Sequence, residues 1–277
     1  MSLAKATRSV SLSRIEGAAT AESRDDRLAV EEPLEIRVNG RSVAVVMRTP
    51  GHDRELAAGF LVTEGVVQRR DDVLDVVFCG TSPASPEAGY GNHGNVLDVL
   101  LAPGCAVDWA RLTRNVFTSS SCGVCSKASI EAVRTQFPPL ATPLSPQREV
   151  LAALPEKLRA AQAAFDATGG LHGCALFDAG GALRVVREDV GRHNALDKVV
   201  GHAFFADALP LAGHILLVSG RVSFEIVQKA LAAGAPCVAA ISAPTSAAVE
   251  LARAGGQTLV GFLRGTRMNV YAGTLAG

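Results

Sequence analysis

The chain has 277 residues, 48% of them hydrophobic, with 27 basic and 27 acidic side chains and a formal net charge of +0. That length and apolar content supply a core for one large domain or two modest ones, while the neutral balance excludes a global attraction to nucleic acid or to an anionic membrane. No run approaches a membrane span, and the first twenty residues hold Lys5, Arg8 and Arg14 without a continuous apolar segment, so neither a spanning helix nor a secretory signal is expected and the cytoplasm is the expected compartment. Six scattered cysteines make no dense disulfide framework, which fits a reducing compartment.

Residues 1–27 are rich in Ala, Ser, Arg and Glu with little periodicity and read as a loose, flexible arm. A β-rich domain is expected over 28–145. Leu34 to Val38 alternates, Asn39-Gly40 is a strong two-residue hairpin signal, and Ser42 to Met47 returns as the partner strand. Thr49-Pro50-Gly51 then turns the chain into a helix through Leu56, Phe60 and Leu61 that ends near Gly65, with His52 as a surface or capping residue. Val73 to Phe78 and Asn95 to Leu101 read as two further strands around a loop rich in Gly, Ser and Pro, where His93 has no partner in the pattern.

Chemistry enters at Ser119-Ser120-Ser121-Cys122-Gly123-Val124-Cys125-Ser126-Lys127. Ile130, Val133 and Phe137 recur at helical spacing and Pro138-Pro139 stops them, so a short helix from about Ala128 to Phe137 is expected, capped by Ser126. Cys122 and Cys125 then lie in a loop feeding a helix N-terminus, where unpaired N–H groups and Lys127 favour a thiolate, the nucleophilic form of sulfur. A zinc site would need a second Cys or His pair at close spacing, and the remaining cysteines, Cys79, Cys105, Cys174 and Cys237, are single. A thioredoxin-like redox pair would carry an aromatic residue before it and a proline inside; serines and Val124 stand there instead. Thiol or persulfide chemistry ranks first and a metal second.

Four prolines in Pro138 to Pro146 mark a domain boundary, and 146–277 is expected to form the second domain. Arg148 to Ala167 has helical spacing and closes on Gly169-Gly170. Cys174 to Phe177 and Leu183 to Arg187 flank a second hairpin signal, Asp178-Ala179-Gly180-Gly181. The loop from Glu188 to Asn194 leads into a helix with Asn194 as its expected cap, placing Arg192 and His193 where an anion could be met. From Gly213 on, strands at Ile215–Val218, Cys237–Ile241 and Thr258–Leu263 alternate with helices, which argues a parallel sheet covered on both faces. Ligands in such sheets bind beyond the carboxyl ends of the strands. Those ends read Ser219-Gly220-Arg221, Ser242-Ala243-Pro244-Thr245 and Arg264-Gly265-Thr266-Arg267, the last with two guanidinium groups suited to phosphate.

Together, Ser121-Cys122-Gly123-Val124-Cys125, Thr168-Gly169-Gly170-Leu171-His172, Glu188 to Lys198 and Phe262 to Tyr271 resemble the FdhD family of formate dehydrogenase accessory sulfurtransferases, over about Glu32 to Tyr271. The resemblance implies a small β-rich N-terminal domain and a larger cytidine-deaminase-like α/β/α domain with a mostly parallel sheet. It implies a sulfurtransferase that takes persulfide sulfur from a cysteine desulfurase and passes it to the molybdenum bis(molybdopterin guanine dinucleotide) cofactor of formate dehydrogenase apoenzyme. On this resemblance Cys122 looks like the persulfide-bearing cysteine and Cys125 its partner in transfer. Phe262, Leu263, Arg264, Gly265, Thr266 and Arg267 look like the cofactor-binding segment, with guanine nucleotide as a mimic of the cofactor, and a homodimer is suggested. His172-Gly173-Cys174 and Pro236-Cys237 look like worn deaminase zinc motifs lacking the glutamate and the second cysteine, so Cys174 and Cys237 are expected to be packed structural thiols and no metal is expected. A non-covalent cofactor-carrying chaperone and a zinc or redox module stand as alternatives.

Overall fold

The structure is a computed structural model that describes residues 2–15, 17, 22–79, 95–109 and 137–276. Cys122, Cys125, His93 and nearly all of the helix expected from about Ala128 lie outside these residues.

The N-terminal segment departs from the expected loose arm. A single turn of helix α1 (Leu3–Ala6) leads into β1 (Thr7–Arg14), which pairs antiparallel with β2 (Glu22–Ala29) along their whole length. Both strands are almost wholly exposed, so they carry no alternating apolar signal. Backbone pairing holds them together, and Ala6 packs with Ala164 and Leu171 at their base.

β3 (Glu32–Val38) and β4 (Arg41–Arg48) form the expected hairpin, with Asn39 and Gly40 at φ 48° and 81°, the left-handed pair that a two-residue primed turn requires. β5 (Val73–Phe78) and β6 (Val96–Leu101) complete a four-stranded sheet in the order β4-β3-β6-β5. Its buried face rests on α2 (Asp53–Thr63).

The helix expected over Arg148–Ala167 is two helices, α3 (Arg148–Ala160) and α4 (Ala163–Thr168). The break has a long-range cause: the Glu188 carboxylate accepts from the amides of Ala164 (3.0 Å) and Phe165 (2.7 Å) and caps a new helix start. β7 (His172–Asp178) and β8 (Leu183–Asp189) form the second hairpin, followed by α5 (Arg192–Phe205). β9 (His214–Val218), α6 (Phe224–Ala232), β10 (Cys237–Ala240), α7 (Ser246–Ala254) and β11 (Thr258–Arg264) give the expected alternation. An unexpected last strand, β12 (Arg267–Ala272), turns back antiparallel on β11.

The sheet runs β12-β11-β10-β9-β7-β8 and is mixed. Its parallel part is the central β9, β10 and β11, whereas β7, β8 and β12 join antiparallel, because hairpins rather than helical crossovers connect them. Alternate side chains face opposite layers. Ile215, Leu217, Cys237 and Ala239 pack under α3, while Leu216, Val218, Val238 and Ala240 pack under α5, α6 and α7. The two sheets share one core, because α5 is sandwiched between the larger sheet and α2.

Candidate functional site

The carboxyl ends of β9, β10 and β11 define one edge of the larger sheet. Antiparallel pairing adds two segments there that strand polarity in the sequence does not reveal: the start of β7, since Cys174 faces Val218, and the end of β8, since His172 faces Asp189. His172, the Asp189–His193 segment, Ser219-Gly220-Arg221, Ser242–Thr245 and the β11–β12 turn therefore share an edge.

The expected cofactor-binding segment is this hairpin turn. Leu263 is core, whereas Arg264, Gly265, Thr266 and Arg267 are exposed, with Arg264 paired to Arg267 across the turn and Gly265 in the left-handed region at φ 54°. Phe262 is exposed and also left-handed (φ 52°), at a bulge between Gly261 and Arg264, and its amide donates to the Ser242 carbonyl at 3.0 Å. A bulky residue held in that region is strained, and here a bulge and a bond to the neighbouring strand end hold it. A side chain at Gly261 would meet Pro244 Cδ at 2.8 Å, so this end of β11 lies flush against the Ser242–Thr245 loop.

The Glu188–Lys198 motif divides into two uses. Half of it ties the two sheets together. Asp189 Oδ2 is 2.6 Å from Lys198 Nζ, both fully buried, and accepts from the Thr49 amide at 3.1 Å; Asp189 Oδ1 accepts from Gly191 N (2.8 Å) and Asn194 Nδ2 (2.9 Å). Asn194 also donates to the Met47 carbonyl at 2.7 Å and Lys198 to the Thr49 carbonyl at 2.8 Å. The cap of α5 is consequently Gly191, not the expected Asn194, whose amide is spent on the end of β4. Asp197 pairs with Lys229 at 2.8 Å and accepts from Thr63 at 2.8 Å, joining α5, α6 and α2.

The other half faces the edge. Arg192 lies beside Gly220 and His172, and His193 Nε2 is 3.4 Å from Ser223 Oγ and 3.8 Å from Glu225 Oε2. Burial first, then the charges of Lys229 and Arg192, push His193 down to about 4; burial and Arg192 lower His172 in the same direction. An unfolded histidine titrates near 6.5, so the unfolded chain takes up the proton first. The stability linked to His193 is intact above that pH and is lost as pH falls toward 4, by up to about 3 kcal/mol. His193→Gln should therefore flatten the acid side of the stability profile between roughly pH 4 and 6.5 in urea unfolding; an unchanged slope would assign the acid lability to another group.

Cys174 and Cys237 are fully buried on opposite faces of the sheet, and burial raises both thiols, Cys237 to about 12. They are packed structural thiols, as expected. Among the described residues no group of three His, Cys, Asp or Glu side chains is arranged to hold a metal, and no helix is long and apolar enough to cross a membrane.

Comparison with known proteins adds the evolutionary setting. A sequence profile of the FdhD/NarQ family matches residues 29–275. Sulfur carrier protein FdhD of Mycobacterium tuberculosis is 56% identical over 251 residues, covering 90% of this chain and 91% of that protein. Sulfur carrier protein FdhD of Streptomyces coelicolor is 56% identical over 256 residues, covering 91% and 89%. A crystal structure from Desulfotalea psychrophila, described as a formate dehydrogenase accessory protein, superposes with a TM-score of 0.74 over 96% of this chain and 97% of that one at 24% identity, and so shares the fold. With the profile spanning both sheets and the shared tie between them, the chain belongs to the FdhD/NarQ family.

Proposed function

We propose that this protein is a sulfur carrier serving formate dehydrogenase. The observation that carries the reading is the match, at more than half identity over about nine-tenths of the chain, to proteins named as sulfur carriers. In this reading the protein takes persulfide sulfur from a cysteine desulfurase on Cys122, with Cys125 as its partner. It then passes the sulfur to the molybdenum bis(molybdopterin guanine dinucleotide) cofactor, its substrate, before the cofactor enters the formate dehydrogenase apoenzyme. The protein works as a homodimer in the cytoplasm.

Loading is a balanced exchange. The Cys122 thiolate attacks the outer sulfur of the donor persulfide, the donor S–S bond breaks, a new S–S bond forms on Cys122 and the donor leaves as a thiolate, with no net oxidation. The chemistry of the carboxyl edge supports this reading. The substrate's guanine nucleotide arms carry phosphates, and the Phe262–Arg267 turn presents two exposed guanidinium groups on a protein of zero net charge, so its anion recognition has to be local.

Incubation with a cysteine desulfurase and cysteine should add about 32 Da per sulfur to the intact protein, and Cys122→Ala should abolish that adduct. Retention of the whole adduct by Cys122→Ala would overturn the assignment. A Cys122→Ala, Cys125→Ala protein that still activates formate dehydrogenase in full would favour a non-covalent cofactor chaperone instead.

A further inference from the structure

The cluster beside Gly220 is separate from the hairpin turn. In the order β11-β10-β9-β7, three strand spacings of about 4.8 Å put His172 roughly 14 Å from the end of β11, so the two basic points cannot grip one phosphate. Three side chains from two elements lie near one another in this cluster: His172 from β7 and Arg192 from α5 flank Gly220, and His193, the next residue of α5, is close enough to feel the charges of both. A Cβ on Gly220 would lie 3.2 Å from His172 Nδ1 and 3.6 Å from Arg192 Cδ, so the bare glycine lets both close in. His193 is only 6% exposed.

The donors of this cluster are only partly used. Arg192 Nε is buried without a hydrogen-bond partner, and among the described residues no ion pair reaches that guanidinium. The carboxylates of the region are engaged, Asp189 with Lys198 at 2.6 Å and Asp197 with Lys229 at 2.8 Å, while Glu225 stands 3.8 Å from His193. A half-buried guanidinium whose buried Nε has no hydrogen-bond partner leaves a donor unused, and an oxyanion is the ligand that takes it together with the exposed donors of the same group. Burial and neighbouring positive charge hold both histidines below their ordinary values, so the neutral imidazole, with one ring N–H, is the favoured form of each at pH 7.

We propose that Arg192, His172 and His193 form a second oxyanion point on the carboxyl edge, taking a pyrophosphate group of a nucleotide. The identity of the nucleotide's owner, the guanine-dinucleotide substrate, rests on the sulfur-carrier reading; the anion point itself does not.

Calorimetric titration of the full chain with inorganic pyrophosphate, GDP and guanosine tests it. Pyrophosphate and GDP should bind and guanosine far more weakly, which separates recognition of the phosphates from recognition of the base. Arg192→Ala should weaken pyrophosphate at least about tenfold, as loss of a charge-assisted contact does, and Arg192→Lys should recover part of it. Arg184→Ala, at the opposite end of the sheet and paired with Asp178, should change nothing. In the unsubstituted protein, the imidazole nitrogen resonances of His172 and His193 should move on adding pyrophosphate while those of His214, at the far end of β9, stay. Unchanged pyrophosphate affinity in folded Arg192→Ala, or still resonances of His172 and His193 at saturation, would overturn the proposal. Persulfide loading of Cys122 measured on the same proteins keeps the two readings apart. Failed loading with Arg192-dependent pyrophosphate binding sinks the sulfur carrier and leaves the anion point, and the converse does the reverse.

Discussion

Gly201→Ala is expected to destabilise the protein by roughly 3 kcal/mol or more, at the upper end of what overpacking does. In an ordinary helix interior the same change is favourable by about 1 kcal/mol, so the sign alone is diagnostic. The reason is the crossing of α2 and α5, where a Cβ on Gly201 would fall on the Glu55 carbonyl and lie 2.8 Å from the Glu55 Cα, and one on Gly59 would fall on the Asp197 carbonyl. Backbone meets backbone there, with no flexible side-chain end to yield. Neither helix can back away, since Arg187 grips Glu55 from β8 (2.7 Å) and Lys229 holds Asp197. Urea unfolding checks this. A Gly201→Ala protein as stable as the parent would show that the helices do not touch as described. Gly59→Ala should act in the same direction, and the pair should be non-additive because the two glycines share one contact.

Lys198→Met carries the second large effect. Lys198 and Asp189 are both fully buried, and removing the ammonium leaves a carboxylate buried among neutral donors only, which typically costs about 3–5 kcal/mol. A Lys198→Met, Asp189→Asn protein should recover part of that loss. No unpaired charge is left in the core and the amide oxygen replaces one carboxylate oxygen as acceptor, while the amide NH2 meets a donor on the other side and limits the recovery. Native-state hydrogen exchange should locate the damage. The Thr49 amide, held by Asp189, and the Val190 amide, held by Thr49 Oγ1 at 3.2 Å, should lose protection before the central strands do. Equal protection everywhere would mean that the tie does not govern how the two sheets dock. The same loosening should free the start of α5 and so weaken pyrophosphate binding at Arg192.

Much of the architecture was legible because local rules and tertiary demand agree. Asn39-Gly40 sits between alternating strands and adopts the positive φ values its composition favours. The apolar runs at Ile215, Cys237 and Thr258 are buried on both faces, as continuous hydrophobic strands imply. The β1–β2 hairpin was not legible, since an exposed ladder leaves no apolar period. Nor was the break after Ala160, whose cap is a glutamate more than twenty residues downstream. The candidate site divides in the same way. Arg264 and Arg267 follow an apolar strand and declare themselves, whereas Phe262 needs a bulge that only the pairing of β11 with β12 creates.

By itself the amino-acid sequence determined most of the element types, the parallel centre of the larger sheet, the thiol pair at Cys122 and Cys125, and the family motifs, because each is written in neighbouring residues. The tertiary structure alone decided what the Glu188–Lys198 motif does. Asp189, Asn194 and Lys198 turn inward to β4, while Arg192 turns toward His172 at a strand end brought there by antiparallel pairing and His193 toward Ser223. Helical periodicity says which residues share a face; which face meets the core and which meets a ligand is settled by the neighbours that folding supplies.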